Sequence, residues 1–256
     1  MGDAQPNRPS VEQAAKLRPY VQSGFLRALE NLAKTMTAPY WWYNASLPEA
    51  SRVVGGGTMC FVHTGKRLLG LTAGHIHRAY LAAKRADPEL YCQVGGHSFD
   101  PDRCLIECRD DTRDLAVYAI SDIQAAAVGA YVHAPASWPP AVTGSPPVLV
   151  CGWLWNLAVS EAQQTHHSFI HFITKLSDST DRSIIALVAP STSVPWGDAP
   201  LPKGANLGGM SGGPVYVLNE TGIQVLTLVG IISQYAFETI RATPVTAIDP
   251  TGRIID

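Results

Sequence analysis

The hydrophobic pattern divides the chain into a short helical part and a long β-rich part. Residues 10–36 repeat apolar side chains at helical spacing, and Ser10 with Gln13 forms a capping box at the start. Pro19 divides this segment into a short helix and a longer one. The predicted apolar face, which we expect to pack on the rest of the protein, consists of Val21, Phe25, Leu29, Leu32 and Met36.

After residue 50 the pattern changes to short β-type runs that are separated by Gly, Pro, Asp and Asn. The runs are TMCFVHT, RLLGLTA, ELYCQV, RCLIECR, LAVYAI, PVLVCGWLW, SFIHFIT, SIIALVA, PVYVL, IQVLTLVGIIS and TPVTAI. Many short strands between turn signals predict a mostly β protein, built as a barrel or a sandwich.

Two interruptions of the pattern predict the domain boundaries. An aromatic-rich connection, APYWWYNASLP, follows the helices, and a proline-rich stretch, PASWPPAVTGSPP, separates two groups of strands. The prediction is an N-terminal helical extension with its connection over 1–50, a first β domain over 51–134, a linker over 135–147 and a second β domain over 148–256.

Composition and charge exclude several classes of function. The 256 residues are 46% apolar and 16% charged, with a formal net charge of −2, which gives no electrostatic reason to bind nucleic acid or an anionic membrane. No apolar stretch approaches the length that spans a bilayer, and the polar start MGDAQPNRPS lacks the apolar part of a signal peptide. We therefore expect a cytoplasmic protein with no membrane and no nucleic-acid partner.

Five cysteines are scattered along the chain, and an odd, unclustered set favours reduced thiols in a cytosolic protein. The alternative is a zinc site that would stabilise an interaction domain, with Cys92, His97, Cys104 and Cys108 as ligands. Their spacing matches no paired Cys-x-x-Cys pattern, so we expect no metal.

Three segments carry residues suited to nucleophilic catalysis: His75 ends LTAGH, Asp114 begins DLAV, and Ser211 lies in GGMSGGPV. A serine hydroxyl becomes a nucleophile when a base accepts its proton, and an imidazole base needs a carboxylate to orient it. Backbone N–H groups must also stabilise the oxyanion of the tetrahedral intermediate. Glycines let the backbone turn tightly and expose such groups, so the N–H groups of Gly209 and Ser211 are the natural donors.

The order of these residues along the chain distinguishes between hydrolase folds. Residues 209–213 match the Gly-x-Ser-x-Gly elbow of α/β-hydrolases, but that fold needs a histidine after the serine, and the last histidine here is His171. The subtilisin order would pair Asp114 with a histidine of 166–171, which lies among β-type runs rather than in alternating βα units. The order histidine, aspartate, serine remains.

In that order, LTAGH, DLAV and GGMSGGPV resemble the three catalytic motifs of trypsin-like serine proteases, over about residues 51–256. The resemblance implies two six-stranded antiparallel β-barrels, with His75 and Asp114 in the first and Ser211 in the second. It implies a serine endopeptidase that cleaves peptides or proteins through an acyl-enzyme, without cofactor. Ser211 would be the nucleophile, His75 the general base and acid, and Asp114 the orienting carboxylate.

The likeness is to bacterial and intracellular members without disulfides, since Ile76 and Leu207 stand where vertebrate-type enzymes have cysteines. RVVGGG at 52–57 mimics a zymogen cleavage site, but Met210 before the serine carries no charge to pair with a new amino terminus. We therefore interpret the glycines as leading into a strand over 58–62, and expect an uncut chain to be competent or to wait for its substrate.

The same likeness predicts where substrate binds. Ala205 corresponds to the base of the primary pocket, and Ser233, Gln234 and Tyr235 resemble the strand that pairs with the substrate backbone. A neutral pocket floor favours a small or apolar substrate side chain over Arg or Lys.

The competing function is a pseudoprotease, a peptide-binding module that uses the cleft by strand addition without cleavage. The presence of all three triad residues argues against it. Other polar residues near the motifs receive structural interpretations: His77 is predicted at the surface, and Asp110 and Asp111 in a turn.

Overall fold

The computed structural model describes the chain from residue 24 onward, with gaps. The described residues are 24–48, 52–109, 111, 113–132, 134–140, 144–161, 164–188, 194–197, 207–219, 226–236 and 238–256. The first part of the predicted helical segment, Ala205 and Asp110 lie outside them. Within the described residues, no helix has both the length and the apolar character needed to cross a membrane.

The N-terminal half begins with α1 (Phe25–Thr35) and continues into a seven-stranded antiparallel sheet. Its strands are β1 (Thr37–Tyr43), β2 (Val53–His63), β3 (Leu68–Thr72), β4 (Tyr91–Val94), β5 (His97–Ser98), β6 (Leu105–Arg109) and β7 (Leu115–Ala119). They lie in the order β5-β4-β1-β2-β3-β7-β6. The connecting helices are α2 (Gly74–Ala86), α3 (Pro101–Cys104) and, after β7, α4 (Asp122–Ala127).

The C-terminal half is a second antiparallel sheet, of which six strands close into a barrel. The strands are β8 (Pro147–Glu161), β9 (Gln164–Ser179), β10 (Ile184–Leu187), β11 (Val194–Gly197), β12 (Pro214–Leu218), β13 (Leu226–Ala236) and β14 (Thr239–Pro244). Their order is β10-β14-β13-β12-β8-β9-β11, and β10 also pairs with β9, which closes the barrel. The predicted mostly β class with an N-terminal helix is confirmed.

One apolar core joins the two halves and α1. The helix buries Leu26, Leu29 and Ala33 in a cluster that contains Val117 of the first sheet and Tyr216 of the barrel. Burying these side chains stabilises the contact by about 1.5–3 kcal/mol for each large one. The helix therefore packs on the main body, as its pattern predicts, although Phe25 of the predicted face is 39% exposed.

The aromatic-rich segment is a strand rather than the predicted connection. Residues 37–43 form β1, which lies between β2 and β4 in the first sheet. β2 is also longer than predicted and includes the glycines. A Cβ at Gly55 would lie 2.6 Å from the ring of Trp42. The glycines leave room for an aromatic side chain of the neighbouring strand.

Candidate active site

His75 lies at the start of α2, directly after a fully buried strand. All five residues of β3 are buried, and the chain leaves this strand through Ala73 to begin the helix at Gly74. The motif LTAGH therefore marks a junction between strand and helix. Its histidine side chain is 35% exposed, which leaves the ring accessible.

Asp114 holds His75 by both carboxylate oxygens. Oδ1 accepts the backbone N–H of His75 at 2.7 Å, and Oδ2 lies 2.8 Å from its ring Nδ1. The first bond satisfies an N–H group left open at the N-terminus of the helix, where negative charge is favoured. The second places the ring proton on Nδ1, so that Nε2 is left to accept a proton.

The backbone of Asp114 is strained. Its φ is 45°, in the left-handed region, immediately before β7 begins at Leu115. This conformation costs about 1 kcal/mol or more in a residue other than glycine. The buried strand β7 and the two bonds to His75 offset that cost and fix the carboxylate at the helix.

Ser211 lies in a tight loop just before β12. The loop is built from two turns, in which the Met210 N–H donates to the Leu207 carbonyl at 3.1 Å and the Gly213 N–H to the Met210 carbonyl at 2.8 Å. In the part of the chain that the structure describes, the N–H groups of Gly209 and Ser211 donate to no protein acceptor. These two groups are the predicted oxyanion donors, and Gly209 itself is buried.

The loop is anchored in the barrel by close packing. The side chain of Met210 is fully buried, in a cluster with Val150 and Val229. Gly209 has a φ of 108°, and a Cβ there would lie 2.5 Å from the carbonyl oxygen of Trp153. An apolar side chain and a glycine thus hold the loop, with no charge at position 210.

Thr58 joins the serine loop to both halves of the protein, and sequence reasoning missed this role. Its N–H donates to the Ser211 carbonyl at 2.9 Å, and its hydroxyl donates to the Gly209 carbonyl at 2.9 Å. The same hydroxyl accepts the N–H of Trp153, on β8, at 2.8 Å. Thr58 is fully buried. The sequence feature that could have indicated this role is the polar Thr58 directly before the apolar residues 59–62 of β2.

Gly57 places the serine loop beside the residue that follows His75. A Cβ at Gly57 would lie 2.9 Å from the Ser211 carbonyl oxygen and 3.0 Å from Cγ1 of Ile76. The loop and the start of α2 therefore meet at one glycine. Within the described residues, the Ser211 hydroxyl forms no hydrogen bond to His75 or to another group.

His75 and Asp114 line a cleft of about 290 Å³ together with Ser233 and Gln234. The structure thus brings two of the predicted substrate-binding residues to the imidazole. The Ser233 hydroxyl donates to the carbonyl of Arg241 on the neighbouring strand, at 3.1 Å. Gln234 is exposed at the rim of this cleft.

The other two predicted substrate-binding residues are not in this cleft. Tyr235 is 38% exposed on β13 and does not line it. Ala205 lies outside the described residues, so its place at the pocket floor stays a prediction.

His77 is buried, and its predicted surface position is wrong. It is 4% exposed, and its Nδ1 lies 2.9 Å from the hydroxyl of Tyr118. His77 lies on the side of α2 opposite His75, and this side packs against the first sheet, where Tyr118 lies on β7. Burial lowers the pKa of His77, against a smaller opposite effect of Asp102.

The cysteines do not gather into a ligand set. All five are free thiols, and burial raises the pKa of Cys60 to about 12. No group of three or more His, Cys, Asp or Glu side chains converges on a metal site among the residues described. The zinc alternative, with Cys92 buried on β4 and His97 exposed on β5, therefore finds no support there.

Comparison with known proteins adds no family. No protein-family model and no curated protein matches the sequence. The functional assignment therefore depends on the three motifs and on the geometry described above.

Proposed function

We propose that this protein is a trypsin-like serine endopeptidase with His75, Asp114 and Ser211 as its catalytic triad. The observation that carries the proposal is the attachment of Asp114 to both the backbone and the ring of His75. A carboxylate in this position orients the imidazole and stabilises its charged form. The resemblance of the three motifs, in their order, supports the same assignment.

The chemistry follows from these groups. The Ser211 hydroxyl attacks the carbonyl carbon of the scissile peptide while Nε2 of His75 accepts its proton. The oxyanion of the tetrahedral intermediate binds the N–H groups of Gly209 and Ser211. His75 then gives the proton to the leaving amine, and water hydrolyses the acyl-enzyme by the reverse sequence. No step needs a cofactor.

The uncut chain is proposed to be the working form. Val53, the residue that zymogen-type cleavage would expose, lies in β2 and pairs with Tyr43 of β1. Met210 is held by apolar burial rather than by an ion pair. We place this protease in the cytoplasm, where its free thiols stay reduced.

One observation favours the pseudoprotease as a second candidate. The Ser211 hydroxyl has no hydrogen bond to His75, which a serine nucleophile needs at the moment of attack. Catalytic hydrogen bonds are often long without substrate and tighten in the complex, so we favour the active enzyme.

A fluorophosphonate probe tests the choice. We expect the intact protein to be labelled at Ser211, and labelling to be lost in both Ser211→Ala and His75→Ala. A folded protein that takes no label would favour the pseudoprotease. The matched control is Ser98→Ala, an exposed serine on β5 that does not line the cleft at His75, which should leave labelling unchanged.

A further inference from the structure

The cleft beside His75 carries an excess of positive charge. Its lining includes four arginines and two aspartates. One of the aspartates, Asp114, already uses both oxygens on His75. The arginines are Arg78, Arg113, Arg182 and Arg241. We call this site, together with Asp111, Ser233, Gln234 and Thr243, the arginine cleft.

The four arginines come from separate elements that converge on the imidazole. Arg78 lies three residues after His75 on α2, so both side chains leave the same side of the helix. Arg241 lies on β14 and pairs with Gln234 of β13. Arg182 lies in the turn between β9 and β10. A peptide that passes along Gln234 to His75 would therefore lie in a cleft that is lined by these arginines.

Two of these charges have neutral partners. Arg241 Nε donates to the Ser183 hydroxyl at 3.0 Å, and Arg113 Nη1 donates to the Asp181 carbonyl at 2.7 Å. Within the described residues, Arg113, Arg182 and Arg241 form no ion pair with a carboxylate. Arg113 is only 7% exposed, and a buried charge normally has an opposite charge beside it.

The positive charge is a local property of this cleft. The chain as a whole has a formal net charge of −2. The four arginines that share a cleft with His75 are therefore a local concentration of positive charge and not part of an overall basic character. The planar guanidinium group matches a carboxylate in shape and can bind both of its oxygens. An acidic side chain is therefore the complementary ligand.

We propose that the arginine cleft binds an acidic side chain of the peptide substrate, so that the protein selects peptides with Asp or Glu close to the bond at Ser211. This inference rests on the proposed function for its biological meaning. The recognition is a binding event, however, and requires no cleavage. Arg182 and Arg241 are exposed and are the specificity-determining residues that can be substituted without disturbing the core.

The experiment measures binding to peptides in matched pairs, which differ only in Glu against Gln at one position. The full-length Ser211→Ala protein is used, so that no peptide is cleaved. We expect the Glu partner to bind about fivefold more tightly for at least one position, the effect of one charge pair near a surface. The preference should decrease with added salt, since screening at physiological ionic strength acts over about 8 Å.

Three variants in the same background separate the cleft from other causes. Arg182→Gln with Arg241→Gln should abolish the preference, and Arg241→Glu should reverse it in favour of the Gln partner. Arg85→Gln, an exposed arginine on α2 outside the cleft, should leave it unchanged. Equal binding of the two partners, including no binding of either, would overturn the proposal, as would a preference that survives the double substitution.

Labelling of the wild-type chain by the fluorophosphonate keeps the two proposals distinguishable. Labelling at Ser211 without a Glu preference would leave the protease and overturn the arginine cleft. A Glu preference without labelling would leave the arginine cleft and overturn catalysis.

Discussion

Gly212 lies directly against Thr72, and this contact joins the two halves of the candidate active site. A Cβ at position 212 would lie 2.1 Å from the Thr72 hydroxyl oxygen and 2.1 Å from the Thr58 carbonyl oxygen. Thr72 is the last residue of β3 and leads to His75. The N–H of Gly212 also donates to the Ile232 carbonyl on β13, at 2.8 Å. The residue after the serine thus sets how closely the loop approaches the histidine.

Replacing Gly212 by Ala is expected to destabilise the protein and to abolish fluorophosphonate labelling. The methyl group would overlap backbone atoms, and φ at this position is 85°. Left-handed strain and overpacking together cost about 2–5 kcal/mol. Urea unfolding measures the loss of stability, and the probe measures the loss of the site.

Gly65→Ala is the matched control, because Gly65 has a similar φ of 89° with nothing within 4 Å of a Cβ. It should cost about 1–2 kcal/mol from strain alone and keep labelling. If the two variants lose equal stability, the contact with Thr72 does not constrain the loop.

Asp114→Asn is expected to reduce the rate of labelling by about 10³–10⁴-fold while the protein stays folded. An amide keeps the shape of the side chain but loses the charge, and it can present an N–H to His75 Nδ1, which stabilises the wrong tautomer. The rate of labelling at saturating probe is the measurement. Asp122→Asn, in the first turn of α4, is the control and should keep the wild-type rate; a normal rate in Asp114→Asn would remove Asp114 from the triad.

Thr58→Val is expected to destabilise the protein by about 1–3 kcal/mol, because the buried carbonyl of Gly209 and N–H of Trp153 would each lose a partner. Labelling should slow as the loop loses its tie to β2. Thr35→Val makes the same chemical change at an exposed position on α1 and should stay within about 0.5 kcal/mol of wild type. Equal effects in the two variants would contradict the bridging role of Thr58.

The stability of the folded protein is expected to decrease as the pH falls, because His77 takes up a proton. Burial lowers its pKa in the folded state below the ordinary value of 6.5, so the unfolded chain takes up the proton first as the pH decreases. The contribution of neutral His77 to the free energy of unfolding is therefore complete above pH 6.5 and is lost as the pH falls through the folded-state pKa.

Urea unfolding on both sides of that pH measures the effect. His77→Gln should flatten the decrease in the free energy of unfolding, because a neutral amide replaces the titrating group beside Tyr118. His97→Gln removes an exposed histidine and should leave the decrease as it is. An unchanged slope in His77→Gln would exclude His77 as its source.

The three motifs could be found in the sequence because each is a short run of adjacent residues. The absence of a histidine after Ser211 excluded the α/β-hydrolase fold, and the β-type runs around the histidines of 166–171 argued against the subtilisin fold. The β-type runs predicted the mostly β class, since strand periodicity depends on neighbouring residues. The helical pattern likewise located α1.

Other features depend on residues that are distant in the sequence. The aromatic segment forms β1, where the ring of Trp42 packs against Gly55 of β2, and His77 is buried on α2 against Tyr118 of β7. Neither partner is visible from the local pattern alone.

The sequence by itself determined the class of the fold and the three chemical motifs. Only the tertiary structure decided that both oxygens of Asp114 hold His75, that Thr58 bridges the halves, and that four arginines from α2, the approach to β7, the β9–β10 turn and β14 meet in one cleft. The physical reason is that hydrophobic periodicity reports which side of an element is buried. The packing of elements against each other then determines which charges and hydrogen-bonding groups share a site.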